Sequence, residues 1–131
     1  MFKIILFPLD RTRESREAAE VAIDLVKTYD SSLILLSVVE NNTDDDLMGS
    51  QEAVAKLLQE ARGFFADRGI KAEVIEREGI PSFTICDVAD EIGANLIVMG
   101  CRGLGLTSEG VSDSVTNKVI NLSPCPVLVV P

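Results

Sequence analysis

Four short apolar runs punctuate the chain: Ile4-Ile5-Leu6-Phe7, Leu33-Ile34-Leu35-Leu36, Leu96-Ile97-Val98-Met99 and Val127-Leu128-Val129-Val130. None alternates cleanly with polar positions, as expected of strands covered on both faces. A weaker fifth strand is read at Ala72-Glu73-Val74-Ile75-Glu76. Between these runs apolar residues recur at helical spacing. Ala18, Ala22, Leu25, Val26 and Tyr29 form one inward stripe, and Ala53, Val54, Leu57, Leu58, Ala61 and Phe65 the next. A third helix is expected from Pro81, a residue favoured in a first turn, carrying Ile85, Val88, Ala89 and Ile92 inward until Gly93 ends it. A fourth is expected over 112–122, stopping ahead of Pro124.

Strands and helices thus alternate, with connections too long for hairpins. That pattern predicts one α/β domain over 1–131, a doubly wound five-stranded parallel sheet with helices on both faces. A chain of 131 residues buries roughly two-thirds of its unfolded surface and needs no disulfide or metal to hold it.

Charge and composition narrow the function. Twelve Lys and Arg against 21 Asp and Glu leave a net charge of −9, which repels nucleic-acid phosphates and anionic lipid headgroups. No apolar run approaches the roughly 20 residues of a membrane span, and a soluble, cytoplasmic protein is expected. The chain has no His, which removes the usual base of Ser-His-Asp and Cys-His hydrolases and the usual partner in a zinc site. Cys86, Cys101 and Cys125 show no CxxC spacing and read as buried thiols. A redox role for Cys101, beside Arg102, is the sharper alternative. The polar run Glu40-Asn41-Asn42-Thr43-Asp44-Asp45-Asp46 reads as a solvated loop before it reads as a metal loop.

In an open parallel sheet, ligands settle at the carboxyl ends of the strands that flank the reversal of strand order. Two strand exits stand out: Pro8-Leu9-Asp10-Arg11-Thr12 after the first run, and Gly100-Cys101-Arg102-Gly103-Leu104-Gly105 after the fourth. Glycines let backbone N–H groups approach phosphate oxygens, and Asp10 can accept from an adenine amine or a ribose hydroxyl. Alone, this glycine cluster is better read as a plain turn, because it lacks the Lys-Ser/Thr of a P-loop.

Taken together the chain resembles the universal stress protein family over residues 2–131. The first strand ends in that family's Pro-x-Asp-x-Ser/Thr, as Pro8, Asp10 and Thr12. Gly79-Ile80-Pro81 leads a helix into Leu96-Ile97-Val98-Met99-Gly100, and the ending is Ser123-Pro124-Cys125-Pro126-Val127-Leu128-Val129-Val130. The resemblance implies a flavodoxin-like strand order of 3-2-1-4-5. It further implies an adenine nucleotide (AMP, ADP or ATP); Mg²⁺ enters only through side-chain chemistry, as an ion that a carboxylate and phosphate oxygens can share. Asp10 and Val38 would hold the base, Gly100 and Gly103 the ribose and first phosphate, and Ser114 with Val115 further phosphate oxygens. Pro8, Leu9, Thr12, Met99 and Arg102 would complete the lining.

ATP-binding members of that family carry Gly-x2-Gly-x9-Gly followed by Ser or Thr. Here Gly100 and Gly103 match, Ser114 follows, and Asp113 stands where the third glycine belongs. Sliding the alignment onto Gly110 restores a glycine but loses the Ser after it. A carboxylate about 4 Å from a phosphate charge costs roughly 1 kcal/mol in water-like surroundings and about 4 kcal/mol at an effective dielectric of 20. Asp113 therefore favours a shorter nucleotide such as AMP, unless Arg102 or a bridging Mg²⁺ offsets it. Three functions stay open: a nucleotide-responsive stress regulator, an interaction module that binds no nucleotide and acts on a protein partner, and a weak ATP hydrolase or autophosphorylating protein. The last has Ser112, Ser114 and Arg102 but no convincing base. An apolar terminal strand at Val127–Val130 predicts a homodimer through that edge, as the resemblance also implies.

Overall fold

The computed structural model describes residues 2–9, 14–39, 47–100 and 115–131. Among the described residues nine elements follow in order: β1 (Ile4–Pro8), α1 (Glu14–Tyr29), β2 (Ser32–Val39), α2 (Leu47–Ala66), β3 (Ala72–Glu78), α3 (Pro81–Ile92), β4 (Leu96–Gly100), α4 (Val115–Leu122) and β5 (Val127–Val130). All strand pairings are parallel, and the sheet order is β3-β2-β1-β4-β5, as expected from the sequence.

The unbroken apolar runs are explained by two cores, one on each face of the sheet. Ile5, Phe7, Leu33, Leu35, Leu96 and Val98 point to the layer under α1 and α2, where Ala18, Ala22, Val26, Val54, Leu58 and Phe65 meet them. Their neighbours Leu6, Ile34, Leu36, Ile97 and Met99 point the other way, to Ile85, Val88 and Ala89 of α3 and Val119 of α4. A strand buried on both sides has no solvent-facing position to make polar, so its alternation disappears from the sequence.

Helix α3 starts at Pro81 and stops at Gly93, whose φ of 66° is left-handed and costs glycine nothing. The amides of Gly93 and Ala94 donate back to Asp90 and Ala89, which closes the helix end. Two expectations need correction. Tyr29 does not face the core: it is 41% exposed and sets its ring edge-on to Phe2, with centroids 5.2 Å apart. Strand β3 runs on to Glu78, beyond the expected end at Glu76, because an edge strand pairs through its backbone while Glu73, Glu76, Arg77 and Glu78 stay in solvent. Helix α4 is described from Val115, and its expected start at 112–114 lies outside the described residues, as does the polar run 40–46.

Candidate functional site

The strand order reverses between β1 and β4, and there the sheet opens. Pairing of β1 with β4 is confined to Ile5↔Leu96 and Leu6↔Ile97. Beyond these, β1 stays with β2 as far as Pro8↔Leu36, and β4 stays with β5 as far as Gly100↔Val130. The carboxyl ends of the two central strands therefore border a slot.

Pro8 explains why the ladder stops. Backbone amides along a strand point alternately to its two neighbours. The Leu9 amide donates to Leu36 of β2 at 2.8 Å, while the Ile4 carbonyl accepts from Asn95, just ahead of β4, at 2.8 Å. Even-numbered residues of β1 thus face β4, and position 8 should supply the next donor. Proline has none, so the ladder ends where the slot begins.

The layer beneath the slot on the α3 and α4 side holds Met99 and, partly buried, Val38. Met99 is 6% exposed and belongs to the core, and it pairs with Val129 of β5. Leu9 packs on the opposite layer, and Val115 is half-exposed at the start of α4. The structure thus brings Pro8, Leu9, Met99 and Gly100 to one end of the sheet, with Val38 near the end of the neighbouring β2. Asp10, Thr12, Arg102, Gly103, Asp113 and Ser114 lie outside the described residues, as does Cys101.

Three buried hydroxyl residues escaped the reading of the sequence, Ser37 in β2 and two at helix starts. Thr116, in the first turn of α4, donates its Oγ1–H to the Gly100 carbonyl at 3.0 Å. Ser82, in the first turn of α3, is 2% exposed, and its Oγ has no hydrogen-bond partner among the described residues. Neither belongs to the motifs the chain was matched on. A Thr-to-carbonyl bond across sixteen positions leaves no local signal in the sequence.

The two described thiols sit at the far side of the same layer. Cys86 Sγ lies 4.0 Å from the Val119 carbonyl, and Cys125 Sγ 3.8 Å from the Ser123 hydroxyl. Burial pushes the Cys86 thiol above its ordinary pKa, with the Asp87 charge and Cys125 adding to the effect. Burial also raises Cys125, against a smaller opposing pull from the Ser123 hydrogen bond. Among the described residues no three His, Cys, Asp or Glu side chains converge to hold a metal. Nor is any described helix long and apolar enough to cross a membrane. An open concavity of about 300 Å³ is lined by Arg62, Ala66, Gly69, Ile70, Lys71 and Ala72 at the amino end of β3, the end of the sheet away from the slot.

Known proteins share this architecture and sequence. The model of the universal stress protein family matches residues 1–131. A universal stress protein of Synechocystis is 66% identical over 136 residues, covering 100% of this chain and 87% of that protein. One of Bacillus subtilis is 31% identical, covering 99% of each. Among solved structures, the universal stress protein UspA from Lactobacillus plantarum superposes with a TM-score of 0.85 at 25% identity, covering 99% of this chain and 98% of that one.

Proposed function

The chain belongs to the universal stress protein family, and we propose that it is an adenine-nucleotide-binding regulator whose ligand occupies the slot between β1 and β4. The observation that carries this reading is the slot itself. It lies at the reversal of strand order, where open parallel sheets take ligands, and is bordered by Pro8 on one strand and Gly100 on the other. Two proteins of the same fold are described in complex with cAMP and with dAMP, at 22% and 19% identity, so the fold admits an adenine nucleotide.

In this reading Asp10 and Val38 hold the base, and Gly100 with Gly103 receives the ribose and first phosphate. Ser114 and Val115 meet further phosphate oxygens, with Thr12 and Arg102 nearby. Met99 packs in the layer beneath. Asp113 places a carboxylate where a terminal phosphate would lie, which favours AMP over ATP and gives Mg²⁺ a bridging role for the longer nucleotides. The protein acts as a homodimer joined along β5, and nucleotide occupancy changes the surface it offers to a protein partner in the cytoplasm.

Calorimetric titration with AMP, ADP and ATP, with and without Mg²⁺, tests this on the native chain and on Asp113→Gly. Saturable AMP binding, with weaker ATP binding that Asp113→Gly restores, is the expected result. The same Asp113 favours a second reading, an interaction module without nucleotide. Absence of binding in both proteins would establish that reading in place of the first.

A further inference from the structure

The bond between Thr116 and Gly100 joins the two ends of segment 101–114. Gly100 is the last residue of β4 and Thr116 lies in the first turn of α4, so one hydroxyl ties the strand that enters this segment to the helix that leaves it. The bond is sheltered, since Thr116 is 8% exposed.

Its direction bears on the slot. The Ile97 amide donates to Pro126 on the β5 side at 3.0 Å, so backbone alternation turns the Gly100 amide and carbonyl to the β1 side. The β1–β4 pairing ends at Leu6↔Ile97, short of Gly100, and an unbound Gly100 carbonyl would present its partial negative charge to the slot. Thr116 Oγ1–H binds that oxygen instead.

We propose that Thr116 is a positioning residue for the slot ligand: it takes up the Gly100 carbonyl, leaving the Gly100 backbone fit to approach an anionic or hydroxyl oxygen, and fixes the spacing between the two ends of segment 101–114. The proposal rests on the nucleotide reading of the slot. It assigns Thr116 no contact with the ligand.

Three variants test it by AMP titration and thermal unfolding. Thr116→Val keeps the shape and removes the donor, Thr116→Ser keeps the donor, and Val119→Ala loosens the same helix without touching the bond. The expected result is AMP binding about tenfold weaker in Thr116→Val, equivalent to about 1.4 kcal/mol or one net hydrogen bond. Thr116→Ser stays close to the native affinity, and Val119→Ala binds normally although it unfolds at lower temperature. Native affinity in Thr116→Val, or an equal loss in Val119→Ala, would overturn the proposal. Should the native chain bind none of AMP, ADP or ATP, the nucleotide reading itself fails. Amide hydrogen exchange then decides the clasp separately. Faster exchange over 101–114 in Thr116→Val but not in Thr116→Ser upholds it, and unchanged exchange overturns it.

Discussion

At Pro8 a single missing hydrogen ends a ladder. Replacing the proline by alanine supplies an amide aimed at β4, and that amide should become protected from solvent exchange. Closing the ladder one step further narrows the slot, so Pro8→Ala should bind AMP several-fold more weakly. The stability change should be small, because the hydrogen bond gained, about 1 kcal/mol, is offset by a looser unfolded chain at about 0.4–1 kcal/mol. Exchange measured by NMR and a titration check both halves. The thiols give a second residue-scale expectation. Cys86 and Cys125 hold their protons more tightly folded than unfolded. Their contribution to stability is therefore complete below the ordinary thiol pKa of about 8.5 and is lost as pH rises above it. Urea unfolding midpoints should fall from pH 8 to pH 10, and less steeply in Cys86→Ala than in the native chain. Alkylation by iodoacetamide at pH 7.5 should be slow at both sulfurs, since the thiolate is the reactive form.

Elements in this fold are delimited by single backbone demands, and two glycines let that be measured. Gly93 sits at φ 66° with open space where a Cβ would go, so Gly93→Ala should cost only the left-handed strain, about 1–2 kcal/mol in urea unfolding. At Gly79, φ is 151° and an added Cβ would stand 2.7 Å from Thr84 Oγ1, so Gly79→Ala adds a clash to the strain and should cost more. The stop at Gly93 was legible in the sequence, as were the four apolar strands. Gly93 follows the last apolar position of a helical stripe, and a strand with two buried faces has to be apolar throughout. Tyr29 was misplaced because helical spacing reports a face and not its width, and at the end of α1 the ring finds Phe2 outside the core. The polar half of β3 was missed because an edge strand draws its hydrogen bonds from backbone that any residue supplies. Of the candidate site, Pro8 and Gly100 could be picked out as strand exits. The Thr116 hydroxyl could not, since its partner is set by how α4 docks and not by any spacing along the chain.

For the whole molecule, the described sheet has two edges, the charged β3 and the apolar β5. Leu128 is 37% exposed there, and Val127, Val129 and Val130 are half-buried. The Pro126 carbonyl faces β4, so alternation turns the amides of Val127 and Val129 outward. In the proposed dimer those are the donors across the interface. Val129→Pro deletes one of them and leaves pairing with β4 intact, so it should shift sedimentation equilibrium from dimer towards a folded monomer. A native mass equal to one chain would rule out the interface.

The narrow pairing of β1 with β4 also has a mechanical meaning. Strands β1, β2 and β3 are laced together along most of their length, β4 and β5 along theirs, and among the described residues a short stretch from Ile4, bonded to Asn95, to Leu6 stitches one group to the other. The sheet is in effect two panels sewn at a short seam, with the helices bracing it on either face. Under load applied across the strands, or in the rare openings that amide exchange detects, the seam should part before either panel frays, and a ligand lodged in the slot would act as an added stitch.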